Sequence, residues 1–167
     1  AELLGFDRVV FEDEGEFNDL SSCFDSTQRF KRVILERSSS YSGPFSPLLG
    51  AVQIELIQAL DRTPIKFFEN RFWGDPGYIH LCFDIVGMES LKSKSEKLGH
   101  PFTVDSANSF DMGEAAGRFS YIEDPDGTLI EFVETHKVPI LKKLNIYMNL
   151  QNRKPEKSLP RWMINTL

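Results

Sequence analysis

The sequence predicts an α+β fold built from two βαβββ modules, the first of which lacks its opening strand and helix. Three observations lead to this prediction. The second half of the chain alternates as strand, helix, strand, strand and strand. Two short segments near the start resemble two segments of that half, in the same order. The opening of the first copy, counted back from these matches, would fall before Ala1.

The elements of the second module follow from hydrophobic periodicity and turn chemistry. The segment "YIHLCFDIV" (78–86) is predicted as a strand, and "MESLKSKSEKLG" (88–99) as an amphipathic helix that ends at Gly99. The segment "RFSYIE" (118–123) is a strand, "DPDG" (124–127) a tight turn and "TLIEFVE" (128–134) the returning strand. Together they make a complete βαβββ unit.

The repeat pairs "GAVQIELIQ" (50–58) with "GTLIEFVE" (127–134), and "LGFDRVVF" (4–11) with "LGHPFTV" (98–104). Strands are predicted at 9–11, at 30–36 and from residue 51 onward, with the Ser-, Pro- and Gly-rich segment 38–50 as a loop. Either the chain is trimmed or another element replaces the opening strand, and we favour trimming.

These patterns divide the chain into four segments. We predict an incomplete first module at 1–62, a connector at 63–77, the complete second module at 78–138 and a helical C-terminal extension at 139–167. Pro139 is expected to open a helix that runs to about residue 150. The segment "LPRWMINTL" (159–167) predicts a further helical turn or two. The extension would cover the module edge or lead into a further domain of a longer chain.

Composition limits the class of protein. The 167 residues are 41% hydrophobic and 26% charged, as in globular proteins, and the net charge is −6. A negative chain argues against nucleic acid or an anionic membrane as a partner. No apolar run has the length of a membrane span, and two cysteines are too few for a disulfide framework. We expect a cytoplasmic protein with a small-molecule substrate, and a homodimer or a further domain of a longer chain as the alternatives for a protein partner.

Three strands each place one ionisable side chain near their middle, on the face opposite the more apolar one. These side chains are His80, Glu55 and Glu131. A histidine and two carboxylates that converge in a partly dry cavity suit a divalent metal, with Zn, Ni, Fe, Mn and Co all open. Coordination would also compensate the carboxylate of Glu131 for its lost hydration.

Other interpretations stand beside this one. A strand histidine often has a structural role, and a strand glutamate is often paired with a base such as Arg32. His100 and His136 lie outside the strand positions and are weaker ligand candidates. An apolar ligand pocket without metal is a third interpretation. Its wall candidates are the aromatic residues Phe67, Phe68, Phe72 and Trp73, for which core packing is the alternative.

The segments "HLCFDIVGMESLKSKSEKLG" and "FSYIEDPDGTLIEF" resemble the vicinal oxygen chelate superfamily. That superfamily includes glyoxalase I, methylmalonyl-CoA epimerase, extradiol dioxygenases, and the bleomycin- and fosfomycin-resistance proteins. The resemblance is strong over 77–135 and weak over 3–60. It implies a glyoxalase-like pair of modules that form a curled, mixed-sheet cleft around a metal ion.

Carried over by position, the resemblance implies that His80 and Glu131 are metal ligands of the second module and Glu55 a ligand of the first. The first-module histidine has no counterpart in this chain. In glyoxalase-like members a glutamate ligand is also the base, which suggests Glu131 for that role. The implied activity is a metal-dependent lyase or isomerase that acts on a small carbonyl or vicinal-oxygen compound through a metal-stabilised enediolate. The alternatives are an Fe-dependent extradiol dioxygenase, in which Glu55 would not be a ligand, and a metal-free drug-binding or resistance protein.

Overall fold

Alternating apolar residues and short turns fold this chain into two β-sheets. The computed structural model describes residues 2–20, 28–66, 69–72, 74–106, 110–112, 115–141, 144–151, 153–154 and 156–165. The chain divides into two units. The first comprises 1–40 with 49–65, and the second comprises 41–48 with 66–167. The boundary between the units at residue 65 falls within the predicted connector. The assignment of residues 41–48 to the second unit was not predicted.

The first unit contains an antiparallel sheet in the order β1-β2-β3. Its strands are β1 Arg8–Gly15, β2 Phe30–Glu36 and β3 Gln53–Ala59. Strand β2 has the predicted bounds, and β1 extends four residues beyond the predicted 9–11. Cross-strand ion pairs between Arg8 and Glu36 and between Arg32 and Glu55 lie on this sheet.

Over its described residues, the second unit contains a six-stranded mixed sheet and two α-helices. The elements in chain order are β4 His80–Asp84, α1 Met88–Lys97, β5 Val104–Asp105, β6 Phe110–Met112, β7 Ala115–Glu123, β8 Leu129–Leu141, β9 Ile146–Asn149 and α2 Arg161–Ile164. The main strand order is β4-β8-β7-β5, with β6 paired to β7 and β9 paired to β8. No helix in the described part of the chain is long and apolar enough to cross a membrane.

The topology confirms the predicted βαβββ module. Strand β4 runs parallel to β8, whereas β7 runs antiparallel to both β8 and β5. Parallel strands cannot be joined by a tight turn, and α1 lies in the segment that leads from β4 toward the antiparallel strands. The predicted α+β fold class is therefore correct.

An aromatic core lies on the helix-facing side of this sheet. Phe132 is 1% exposed, and its ring stacks on Phe83 at 6.2 Å and on Phe102 at 6.4 Å. Met88, at the start of α1, is also 1% exposed and accepts a hydrogen bond from Ser120 Oγ through its sulfur atom. Because Phe132 points to this side, strand alternation turns its neighbour Glu131 to the opposite face.

The "DPDG" segment forms the predicted turn between β7 and β8. Oδ1 of Asp124 accepts hydrogen bonds from the backbone N–H groups of Asp126 at 2.9 Å and Thr128 at 2.8 Å. Gly127 has a φ of 86°, which side chains with a Cβ rarely adopt. The side chain of Asp124 therefore has a structural role in the turn that sets the register between the two strands.

The predicted helix from Pro139 to about residue 150 is wrong. Strand β8 continues through Leu141, and β9 pairs with it through Val138↔Met148 and Pro139↔Tyr147. Proline lacks an N–H donor and is tolerated in a sheet at an edge or a bulge. Pro139 satisfies both conditions, since the β7 pairing ends at Lys137 and a register shift follows Pro139. The short helix α2 confirms the helical turn expected in 159–167.

Candidate functional site

Three strands bring polar side chains together on the face of the second sheet opposite the aromatic core. In the register, Cys82 of β4 and Tyr121 of β7 both lie beside Glu131 of β8. His80 lies two residues before Cys82 and therefore projects from the same face. The sheet thus places a histidine, a thiol and a phenol around one carboxylate.

Both oxygens of the Glu131 carboxylate have a partner. Oε2 lies 2.9 Å from Nε2 of His80, and Oε1 accepts a hydrogen bond of 2.6 Å from the Tyr121 hydroxyl group. The side chains of His80 and Glu131 are 28% and 15% exposed, so the pair is only partly accessible to water. The structure therefore brings together two of the three predicted site residues.

Burial and the nearby carboxylate of Glu131 keep Tyr121 and Cys82 protonated. Burial, followed by the hydrogen bond to Glu131 and the charge of that group, raises the pKa of Tyr121. The same causes, again with burial as the largest, raise the pKa of Cys82 to about 12. A thiol with that pKa is neither a nucleophile nor a ready metal ligand at neutral pH.

Of the two ring nitrogens of His80, only Nε2 has a partner among the described residues. The ring makes an edge contact with Tyr121, with the ring centroids 5.6 Å apart. Its Nδ1 atom is buried and has no hydrogen-bond partner among the described residues. Metal-binding histidines usually donate their second ring N–H to an acceptor, and no such acceptor is found in this part of the chain.

Glu55, the third predicted ligand, lies in the first unit. Its carboxylate accepts a hydrogen bond from Nε of Arg32, whose Nη1 also lies 2.7 Å from Oδ2 of Asp19. This is the ion pair that the sequence analysis set beside the metal interpretation. The assignment of Glu55 as a ligand stays a prediction.

Two donors of the predicted set suit a divalent metal chemically, since one is an imidazole nitrogen and the other a carboxylate oxygen. Within the described ranges, no group of three His, Cys, Asp or Glu side chains is placed to hold a metal. His136 lies apart from this pair, with Nε2 at 3.1 Å from Oε2 of Glu134. Of the four aromatic wall candidates, Phe72 is 83% exposed, while Phe67, Phe68 and Trp73 lie outside the described residues.

Tyr121 is the site residue that the sequence analysis missed. The signal that could have found it is the hairpin register. Counting outward from the "DPDG" turn places Tyr121 opposite Glu131, as the structure confirms. A buried tyrosine usually has a partner for its hydroxyl group, and here the nearest ionisable cross-strand side chain provides it.

Comparison with solved structures identifies the fold. A glyoxalase family protein from Bacillus cereus superposes with a TM-score of 0.57 at 19% identity, covering 80% of each chain. A glyoxalase family protein from Enterococcus faecalis gives a TM-score of 0.51 at 19% identity, covering 80% of this chain and 81% of its own. No protein-family model and no curated protein matches the sequence.

These similarities define the class of the fold. The chain has the glyoxalase-type fold that the motifs around His80 and Glu131 predicted. At 19% identity the likeness shows the fold alone, and the activity must be argued from the site.

Proposed function

We propose that this chain is a metal-dependent lyase or isomerase of the glyoxalase type, acting on a small carbonyl or vicinal-oxygen compound. The observation that supports the proposal most strongly is the 2.9 Å approach of His80 Nε2 to Glu131 Oε2 on one sheet face. These are the two positions at which the superfamily motif implies metal ligands. The glyoxalase-type fold supports the class of enzyme and leaves its reaction open.

In this proposal His80 and Glu131 hold a divalent ion, and Glu55 is the expected third ligand. Zn, Ni, Fe, Mn and Co all suit nitrogen and oxygen donors. When bound, the ion would supply a Lewis acid that stabilises negative charge on the oxygens of the substrate.

Glu131 and Tyr121 would then have different roles in proton transfer. Glu131 is the proposed base that removes a proton from the carbon next to a carbonyl group, as in enediolate chemistry. Tyr121 would hold Oε1 of Glu131 through the 2.6 Å hydrogen bond, leaving Oε2 for the metal or the proton. Because the pKa of Tyr121 is raised, its hydroxyl group stays a donor at neutral pH.

Two alternatives each have an observation in their favour. In an Fe-dependent extradiol dioxygenase Glu55 is not a ligand, which accords with its ion pair to Arg32. In a metal-free binding protein the charge of Glu131 must be compensated by protein groups, and His80 and Tyr121 already contact both carboxylate oxygens.

Proton exchange tests the proposal against both alternatives. The protein, reconstituted in turn with each of the five metals, is incubated in D2O with small 2-oxoaldehydes as thiol adducts and with 2-hydroxyketones. Exchange of the carbon-bound proton is followed by NMR. We expect metal-dependent exchange that Glu131→Gln abolishes. Oxygen uptake with a catechol in the Fe-loaded protein, and no exchange with any metal, would favour the dioxygenase. Neither activity with any metal would contradict the enzyme proposal.

A further inference from the structure

A second polar cavity lies at the edge of strand β8, away from the His80–Glu131 pair. Strands β4 and β9 both pair with β8, β4 through Leu129–Val133 and β9 through Lys137–Leu141. They leave a gap beside 134–136, bounded by the hydrogen bonds from Ile85 N to Val133 O and from Leu150 N to His136 O. We call this space the edge cavity.

The edge cavity offers about 50 Å³ to water-sized molecules. Since one water needs roughly 10–15 Å³ on this measure, the space corresponds to about four oxygen atoms. Its lining contains five ionisable side chains, which are Asp84, Glu134, His136, Arg153 and Lys154.

The carboxylate of Glu134 is already engaged. Oε1 accepts hydrogen bonds from the backbone N–H groups of Gly87 and Met88, and Oε2 lies 3.1 Å from Nε2 of His136. Glu134 thereby satisfies donors at the N-terminus of α1, where a negative charge is favoured. It is not within ion-pair distance of either cation that lines the cavity.

The positive charges of Arg153 and Lys154 are not compensated by a carboxylate of the described residues. Nε of Arg153 is buried and has no hydrogen-bond partner in the part of the chain that the structure describes, and its Nη1 contacts the Met148 sulfur atom at 3.9 Å. Among the described residues, neither cation forms an ion pair with a carboxylate. A buried guanidinium N–H without an acceptor is costly, so this site lacks an acceptor that carries negative charge.

Asp84 does not provide that acceptor. Although it lines the edge cavity, it forms no ion pair with Arg153 or Lys154. Desolvation raises its pKa, which disfavours the charged carboxylate. The balance of fixed charge in the cavity therefore favours an anion supplied from outside the chain.

We propose that the edge cavity is a binding site for a small oxyanion of the phosphate class, held by Arg153 and Lys154. The guanidinium group of Arg153 donates to the oxyanion from the buried side, and Lys154 neutralises it from the rim. The volume admits one tetrahedral oxyanion group. The site is lined by the end of β4, by residues 134–136 of β8 and by the segment after β9, and it does not depend on metal at His80 and Glu131.

Inorganic phosphate is the probe for the test. NMR of the full chain follows the Nε–H signal of Arg153 during titration with sodium phosphate, against sodium chloride at equal ionic strength. We expect saturable movement with phosphate only. Arg153→Gln and Lys154→Gln should each weaken binding, measured by calorimetry, by about tenfold or more. Lys157→Gln, at an exposed lysine outside the cavity lining, is the matched control and should bind as the unmodified chain does.

Three results would overturn the proposal. The first is an Nε–H signal of Arg153 that does not shift when phosphate is added, and the second is an equal shift with chloride. The third is phosphate affinity that is unchanged in both Arg153→Gln and Lys154→Gln. Each result is sufficient by itself. Lys154 is exposed, so its variant keeps the test decisive if Arg153→Gln does not fold. A parallel titration with methyl phosphate separates the two sources of the anion. Binding of both supports a phosphate carried by a larger molecule, and binding of inorganic phosphate alone supports the free ion.

Discussion

Tyr121 donates its hydroxyl hydrogen to Oε1 of Glu131 over 2.6 Å, from the strand position directly opposite it in the register. This hydrogen bond explains how a carboxylate is stabilised in the middle of an apolar strand. One oxygen is held by a neutral, buried donor, and the other is turned to His80. The hairpin therefore presents Glu131 in a single orientation.

Removal of the Tyr121 hydroxyl group tests this orienting role. Tyr121→Phe should lower the free energy of unfolding by about 1.5–3 kcal/mol, since one hydrogen bond to a charged group is lost while the ring stays packed. It should also weaken metal binding by about 10-fold or more, as for other groups that orient ligands. Calorimetric metal titration measures the effect. Tyr147→Phe, at a tyrosine that is 38% exposed, is the control and should change neither quantity.

The Cys82 thiol should react slowly. With a pKa of about 12, its thiolate fraction at about pH 8 is roughly a thousandfold below that of an ordinary cysteine. Iodoacetamide labelling, followed by mass spectrometry of the Cys82 peptide, should show this slow rate. Glu131→Gln should accelerate labelling because it removes the neighbouring charge, while the remaining desolvation of the sulfur atom keeps the pKa raised and the rate below normal. Labelling of the folded chain at the rate of its urea-unfolded form would contradict this account.

Asp105 should make stability depend on acid pH. Burial opposes its ionisation, but hydrogen bonds from Lys92 and Arg118 more than offset this and lower its pKa. Arg118 makes two of these contacts, at 2.9 Å and 2.8 Å. A lowered folded-state pKa adds stability that is present above the unfolded value of about 3.9 and is lost as pH falls through the folded value.

Asp105→Asn should therefore cost about 1–3 kcal/mol near neutral pH, and the difference from the unmodified chain should shrink below about pH 4. Urea unfolding from acid to neutral pH measures this difference. Asp126→Asn, in the exposed turn, serves as the control. A cost for Asp105→Asn that is constant over the whole pH range would show that ionisation of this group is irrelevant.

Phe132 should be the side chain whose truncation weakens the second unit most. It is 1% exposed and stacks on Phe83 and Phe102. Phe132→Ala should lower the free energy of unfolding by about 3–5 kcal/mol, because it removes apolar contact and leaves a cavity. Chemical denaturation checks this, with Phe72→Ala at an 83% exposed position expected to cost little. Equal costs at both positions would refute the assignment of the core.

The sequence predicted the features that are encoded locally. The amphipathic spacing of 88–97, the Gly99 exit and the "DPDG" turn each act within a few residues, and all three are found. Because the turn fixes the register, the position of Glu131 beside β4 and β7 follows from it.

Features that depend on distant partners were harder to predict. Pro139 suggested a helix start, yet it lies in a strand because β7 no longer pairs there and β9, later in the chain, does. Arg118 is 5% exposed because Asp105 and Glu89 neutralise it, and its own segment gave no sign of this. The ion pair of Glu55 was foreseen as an alternative, but periodicity alone could not choose between it and a ligand.

Metal content is the most direct measurement of the central claim, that His80 and Glu131 form a metal centre. Plasma mass spectrometry is applied to the chain and to His80→Ala and Glu131→Gln, with His100→Ala and Glu123→Gln as matched controls away from the pair. We expect about one divalent ion per chain in the unmodified protein and both controls, and at least about a tenfold loss in both site variants. An unmodified protein that binds no metal even after reconstitution, or site variants that keep it fully, would contradict the claim.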